Sequence, residues 1–336
     1  MNRKTIFALL VIIVLFTFGF LLIRDRINSQ YLTTEIYSMD TLIEINISGA
    51  DKKQATDKVV QEINFLNQKF DDFSSQSDVT KINENAGKEP VKVDPVTIDI
   101  ISKAIECYKI SDGAFDILVA PLSKLWGFKS NDNSYRIPSQ KEIEQALKLI
   151  DINDLIVEGD KVMLKKIGEA IDLGGIAKGY TLDRIKEILP KYNLKNAIIN
   201  MGGNILTYGK SNNGNWLIGI KNPRGDGIVG TININGSKFI STSGDYERYF
   251  IENGIRYCHI IDPSTGYPSD KIISVTVESD KGYLGDALST AFFVLGKENS
   301  LELANKLNVE IVGFDKNLNP FFTEGIKNEV NIEKGR

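Results

Sequence analysis

Apolar residues at Leu42, Ile43, Ile45 and Ile47, within the stretch Tyr31 to Ile47, follow the alternation expected of strands, and Ser38-Met39-Asp40-Thr41 interrupts them. The period then changes. Over Asp51 to Phe70 the apolar positions Ala55, Val59, Ile63, Leu66 and Phe70 recur at spacings of three and four, predicting an amphipathic helix whose face needs a sheet or helix to cover it. A polar loop is expected over Asp71 to Asp78 and a helical turn over Val79 to Asn83. A second helix is predicted over Pro95 to Ile110, stopped by Ser111-Asp112-Gly113, and a third over Ser139 to Ile150, where Ser139 and Glu142 have the spacing of a capping box. Asp154 to Asp172 suggests a hairpin turning at Glu158-Gly159-Asp160.

The second half mixes both periods. Helices are expected over Ile176 to Leu189, Leu284 to Leu295 and Glu298 to Leu307. Strands are expected over Ala197 to Met201, as a pair within Asn215 to Asn235, near Phe239, and over Ile255 to Ile261, Ile272 to Val277 and Val309 to Phe314. No strict βαβ rhythm connects them. The expected class is therefore α+β, mixed sheets with flanking helices, rather than a doubly wound parallel sheet.

One segment stands apart. Between the basic residues Arg3-Lys4 and Arg24-Asp25-Arg26, Thr5 to Ile23 carry no charge, a run long enough to cross a bilayer, for which about 20 apolar residues are needed. It has neither an A-x-A cleavage pattern nor a lipoprotein-type cysteine. The expectation is an uncleaved membrane anchor over residues 1–29 and one module over residues 30–336. Basic residues on both sides leave the orientation open on charge alone.

Composition narrows the class little further. The 336 residues are 42% hydrophobic and 25% charged, enough for a sizeable core, and a net charge of -4 gives no reason to expect a nucleic-acid partner. Cys107 falls in a helical pattern and Cys258 in a strand pattern, so both are expected to be small core thiols.

Candidate chemistry is concentrated in Ser241 to Pro268, which holds His259, the chain's single histidine, among Asp245, Arg256, Asp262, hydroxyl side chains and glycines. A lone histidine is more often structural than catalytic, but this density of polar residues and glycines suits a loop that meets a ligand. In Asp172-Leu173-Gly174-Gly175-Ile176-Ala177-Lys178-Gly179-Tyr180, a diglycine precedes a helix. Such a junction either offers free amides and the helix dipole to phosphate, with Lys178 adding charge, or is a tight turn in which glycine only permits the backbone angles. Asp286 and Thr290 lie four apart on one helical face, as hard oxygen donors for Mg²⁺ or, more plainly, with Asp286 as a helix cap.

These segments together resemble the FAD:protein FMN transferases, the ApbE family of flavin transferases. The resemblance rests on S-G-D-Y-E-R-Y-F at Ser243–Phe250, H-I-I-D-P-S-T-G-Y-P at His259–Pro268, D-L-G-G-I-A-K-G-Y at Asp172–Tyr180 and D-A-L-S-T at Asp286–Thr290. Further likenesses are G-A-F-D at Gly113–Asp116, L-W-G-F at Leu125–Phe128, Phe73-Ser74 and the turn Asn200–Asn204. Two positions depart from the family pattern. Asp40 stands where Met-Gly-Thr is usual, which puts a close backbone approach there in doubt, and Gly285 replaces an alanine, a change expected to matter little.

The resemblance implies flavin-nucleotide contacts at Met39, Phe73, Ala114, Phe115, Asp116, Asp172, Lys178, His259 and Ile261. It also implies metal ligands at Gly175 (through its carbonyl), Asp286 and Thr290. Trp126 and Phe128 are expected to be core, and Asn200–Asn204 to be structural or to line the site. The implied activity is Mg²⁺-dependent transfer of FMN from FAD to a Ser or Thr hydroxyl of an acceptor flavoprotein, with release of AMP and an extracytoplasmic catalytic domain. His259 is the expected base, because an imidazole near its usual pKa of about 6.5 can accept a proton at neutrality; Asp245 and Asp262 are the alternatives. Two other activities stay open, an FAD pyrophosphatase using water and a non-catalytic FAD-binding module.

Overall fold

The structure, a computed structural model, describes residues 17, 18, 24, 26–129 and 134–332. Most of the expected anchor Thr5 to Ile23 lies outside the described residues. Among those described, no helix is long and apolar enough to cross a membrane.

The organising element is an eight-stranded sheet: Leu32–Ser38, Thr41–Gly49, Leu194–Met201, Asn204–Tyr208, Phe239–Gly244, Ile272–Ser279, Glu310–Asp315 and Pro320–Phe322. Its spatial order follows chain order, and each neighbouring pair is antiparallel. The α+β class holds, but the expectation of mixed sheets is corrected, since every strand pair among the described residues is antiparallel. The first two strands pair from Leu32↔Ile47 to Ser38↔Thr41 across the two-residue turn Met39-Asp40. Both turn residues have positive φ (50° and 59°), the requirement of a type I′ turn and the geometry that matches strand twist.

Insertions between strands build the rest. Residues 50–193 enter between the second and third strands, starting with the helix Lys52–Phe70. That helix lays Ala55, Val59 and Ile63 on the buried face of Ile43, Ile45 and Ile47, beside Leu182, Ile185 and Ile188 of the helix Ala177–Ile188. The opposite sheet face, with Ile240, Ile273, Val312 and Phe314, is covered by a three-stranded sheet carrying Trp216, Ile218, Ile232 and Ile234. Alternation decides the layering: Phe239 joins the helical side and Ile240 the other. A third core centres on the helices Pro95–Ile110 and Gly282–Leu295, the latter inserted between the sixth and seventh strands.

Several boundaries differ from expectation. The helix at Ser139 is Gln140–Leu147, with the capping box formed as the spacing predicts. The hairpin of Asp154 to Asp172 is confined to Leu155–Glu158 and Lys161–Leu164; beyond it the chain is irregular and leads into the site. The strand expected to reach Ile261 stops at Cys258, because it pairs only with Tyr249–Glu252, an unforeseen partner, in a two-stranded ribbon of its own. Asn204–Tyr208, also unforeseen, is a central strand. Cys107 and Cys258 are buried free thiols, pushed up to about 12 by burial and hence unreactive at neutral pH.

Candidate active site

The insertions converge on a cavity of about 340 Å³ at one end of the main sheet's inner strands, where Thr41, Gly202, Asn204 and Ser243 line it. Met39, Ala114, Phe115, Asp116, Asp172, Gly175, Lys178, His259, Ile261, Asp286 and Thr290 all line it. Phe73 lines an adjoining cavity of about 360 Å³ instead, which shares Met39, Asp40, Lys129, Asp172, Gly174, Lys178 and Arg248 with the first. Residues spread over some 250 positions of sequence are thus brought to one place.

The diglycine is a matter of close approach, not of special backbone angles, since neither Gly174 nor Gly175 has positive φ. A Cβ on Gly175 would lie 3.1 Å from the Phe115 ring and 3.3 Å from Thr290 Oγ1, and one on Gly174 would lie 3.0 Å from Asp172 Oδ1. Of the two readings of this junction, the tight turn is favoured for Gly174, Ile176, Ala177 and Gly179, whose amides are engaged within the chain. Ile176 and Ala177 donate to the Leu173 carbonyl, Gly174 to Asp172 Oδ1 and Gly179 to Asp286 Oδ2. The cations facing the cavity are side chains: Lys178, Lys129 and Arg248.

Asp286 does not cap its helix. Lys281 occupies the cap, and Asp286 lies within Gly282–Leu295, buried, with its carboxylate turned to the neighbouring helix. Burial raises its pKa, against the lowering influence of Lys178 and the Gly179 amide. A buried carboxylate disfavoured as an anion, one helical turn from a Thr290 hydroxyl that itself lies beside Gly175, fits a hard divalent cation. Among the described residues no group of three or more His, Cys, Asp or Glu could cage such an ion alone. The donor set therefore suits a cation that shares substrate oxygens.

Asp172 is held in place from three sides. Its amide donates to the Ile117 carbonyl at 2.7 Å, Oδ1 accepts the Gly174 amide at 2.8 Å, and Lys129 Nζ lies 3.1 Å away. Burial opposes its ionisation, but Lys129 and the amide prevail and lower its pKa. Lys129 also contacts Asp72 at 2.6 Å, and Asp72 is shifted upward by burial, with Asp172 adding to the shift. Asp116, buried, accepts the Leu118 amide at 2.8 Å and is pushed up to about 6 by burial.

His259 lies just past the ribbon, half-buried. Its amide donates to the Arg248 carbonyl at 3.0 Å, and its Nδ1 is 3.2 Å from the same oxygen. A carbonyl cannot donate, so the neutral ring carries its proton on Nδ1 and leaves Nε2 as a free acceptor. The ordinary histidine pKa assumed from sequence is corrected: burial and the nearby Arg248 push it down to about 4, so the ring is neutral at pH 7. The alternative bases are committed elsewhere. Asp245 forms a bidentate pair with Arg224 at 2.7 and 2.6 Å, and Asp262 closes its turn through Ser264 and pairs with Lys271.

A family profile described as the ApbE family matches residues 39–312, most of the chain. The chain belongs to the ApbE family. Similar proteins include an FAD:protein FMN transferase of Klebsiella pneumoniae (strain 342), 36% identical over 72% of this chain and 76% of that protein. Another, from Vibrio cholerae, is 31% identical over 78% of this chain and 80% of its own. Among solved structures, the ApbE protein of Thermotoga maritima superposes with a TM-score of 0.84 at 35% identity, covering 89% of this chain and 99% of that one. The flavin transferase ApbE of Vibrio cholerae gives 0.80 at 26% identity over the same shares.

Within this ApbE chain, Trp126 is core as expected, fully buried and donating to the Gly266 carbonyl at 2.9 Å, whereas Phe128 also reaches the cavity wall. Lys129 and Arg248 line the cavity without having been singled out as site residues, whereas lining the site was one of the two readings given for the segment that holds Asn204. For Lys129 the sequence carries no local sign, because its carboxylate partners lie far along the chain.

Proposed function

We propose that the chain transfers FMN from FAD to a Ser or Thr hydroxyl of an acceptor protein, with Mg²⁺ bound, releasing AMP. The observation that carries this reading is the convergence of Asp286, Thr290, Gly175, Lys178 and His259 on one cavity. The names of the similar proteins support it.

Asp286, Thr290 and the Gly175 carbonyl would hold the Mg²⁺, which when bound supplies Lewis-acid stabilisation of pyrophosphate charge. Lys178 adds positive charge beside the phosphates. His259 Nε2 accepts the proton of the attacking hydroxyl as its oxygen bonds to the FMN-side phosphorus. The bond from that phosphorus to the bridging oxygen breaks, and AMP leaves with the electron pair. Met39, Phe115 and Ile261 give the flavin half apolar walls.

The test is incubation of the full chain with FAD, Mg²⁺ and an acceptor bearing a Thr flavinylation site, followed by intact mass measurement. An acceptor heavier by one FMN less one water supports transfer. Free FMN and AMP with an unmodified acceptor would show a pyrophosphatase, and intact FAD a binding module. We further propose that Thr5 to Ile23 anchors the chain in the membrane with the catalytic domain extracytoplasmic, supported by that uncharged run. External protease reaching the domain in intact cells with outer layers removed is the expected result, and full protection would overturn it.

A further inference from the structure

The turn Met39-Asp40 of the main sheet meets the separate ribbon at one ion pair. Asp40 Oδ2 lies 2.9 Å from Arg248 Nη2, while Asp40 Oδ1 accepts the Tyr37 hydroxyl at 3.0 Å. Asp40 and Arg248 both line the two cavities, so the pair stands where the cavities adjoin. Arg248 is also the residue whose carbonyl takes both the amide and Nδ1 of His259. The ribbon Tyr249–Glu252 with Ile255–Cys258 joins no larger sheet, and Arg248 and His259 lie just beyond its open end. Nothing in the ribbon's own ladder continues past them. That end is joined to the main sheet through the chain from Gly244 and the Asp245 amide on the Ile273 carbonyl, and the Asp40 carboxylate adds the side-chain tie on Arg248 itself.

We propose that Asp40 is a positioning residue: by holding Arg248 it fixes the carbonyl that sets the orientation and tautomer of His259, keeping Nε2 bare toward the cavity. Its catalytic meaning rests on His259 being the base. A ring released from that carbonyl exchanges its proton between the two nitrogens, and only the Nδ1–H form offers Nε2 as acceptor.

The single histidine makes this directly measurable, because the full chain without a histidine tag gives one imidazole signal set. The protein is labelled with ¹⁵N-histidine and observed by long-range ¹H–¹⁵N correlation at pH 7.5 without FAD. The wild type is expected to show the Nδ1–H tautomer predominantly. Asp40→Asn removes the charge yet keeps a residue that tolerates positive φ. In this variant, and in Arg248→Gln, the Nε2–H form should become visible. Combining the two should add nothing further, since each breaks the same link. The accompanying fall in kcat for FMN transfer by Asp40→Asn is expected to be about two- to fivefold, the scale of a half-exposed ion pair. An unchanged tautomer in the folded Asp40→Asn protein would overturn the proposal, whatever its activity. A shifted tautomer with undiminished transfer would uphold the positioning and count instead against His259 as base.

Discussion

The Gly179 amide donates to Asp286 Oδ2 at 2.8 Å, so the helix that carries Lys178 and the helix that carries Thr290 are joined through the site's buried carboxylate. The approach is backbone to backbone: a Cβ on Gly179 would fall 2.1 Å from the Gly282 carbonyl oxygen and 2.5 Å from Asp286 Cβ. Neither atom is the end of a flexible side chain. Gly179→Ala should therefore cost about 3 kcal/mol or more of stability by forcing the helices apart. Chemical denaturation would measure this, and a loss under 1 kcal/mol would refute the close-packing argument.

Asp286 sets function against stability. Its buried carboxylate is disfavoured as an anion, so removing the charge relieves a cost in the metal-free protein. Asp286→Asn is expected to melt at or above the wild-type temperature without ligand. Its FMN transfer should fall by at least about a hundredfold, and Mg²⁺ with FAD should no longer raise its melting temperature. Calorimetry with and without Mg²⁺ and FAD decides; an unchanged ligand-induced shift would move the metal site elsewhere.

His259 gives a pH prediction with a definite sign. Its folded pKa lies below the unfolded value, so the neutral ring, the form that acts as base, persists well below pH 6 in the free enzyme. The kcat/KM for transfer should stay level from pH 8 to 6, where an ordinary histidine would already have lost most of its neutral form, and decline toward pH 4. Stability follows the same linkage. As pH falls through about 6.5 the unfolded chain takes up a proton that the folded chain refuses, so stability drops until pH reaches about 4 and then levels. His259→Gln should lack this component, and matching wild-type and variant pH curves would contradict it.

How much of this was legible in the chain depends on the reach of each interaction. The helices Lys52–Phe70 and Pro95–Ile110 and the Ser139–Glu142 capping box are written within one or two turns of sequence, and they form where the pattern places them. The motif residues around Asp172, His259 and Asp286 do meet in one cavity. What escaped was non-local or lacked a period. Tyr249–Glu252 is mostly exposed and so has no buried alternation to betray it. Lys129 follows an aromatic core segment, and only the fold shows that it sits between Asp72 and Asp172. The His259 environment was misjudged because Arg248 and the burial around the ring come from tertiary contacts.

Gly285 is a position where sequence comparison suggests tolerance and the geometry does not. A Cβ there would meet Ser279 Oγ at 2.5 Å and Ser241 Oγ at 3.3 Å, and Ser279 is held by its hydrogen bond to the Lys281 carbonyl at 2.9 Å. Alanine at this position should cost about 1–2 kcal/mol, as overpacking does. Pairing Gly285→Ala with Ser279→Ala should recover most of the loss. If the single substitution is neutral, Ser279 turns aside freely and the constraint does not exist.

Lys129 offers the last prediction, a penalty whose size depends on pH. It neutralises two carboxylates that face each other, Asp72 at 2.6 Å and Asp172 at 3.1 Å. In Lys129→Met both lose their counter-ion, and burial together with mutual repulsion holds their folded pKa values above the unfolded ones of about 4. Groups raised in this way are carried without penalty when protonated and cost stability once pH rises past the unfolded value. The variant should therefore be destabilised by about 2–3 kcal/mol at pH 7.5, discounted from the fully buried case because the side chains keep some exposure. Near pH 4 most of that difference should vanish. In the wild type the lowered Asp172 behaves oppositely, contributing stability above pH 4 that is lost on acidification. Urea titrations of both proteins at the two pH values measure the difference directly, and a variant penalty that stays constant between them would show that Lys129 acts through packing of its methylene chain and not through charge.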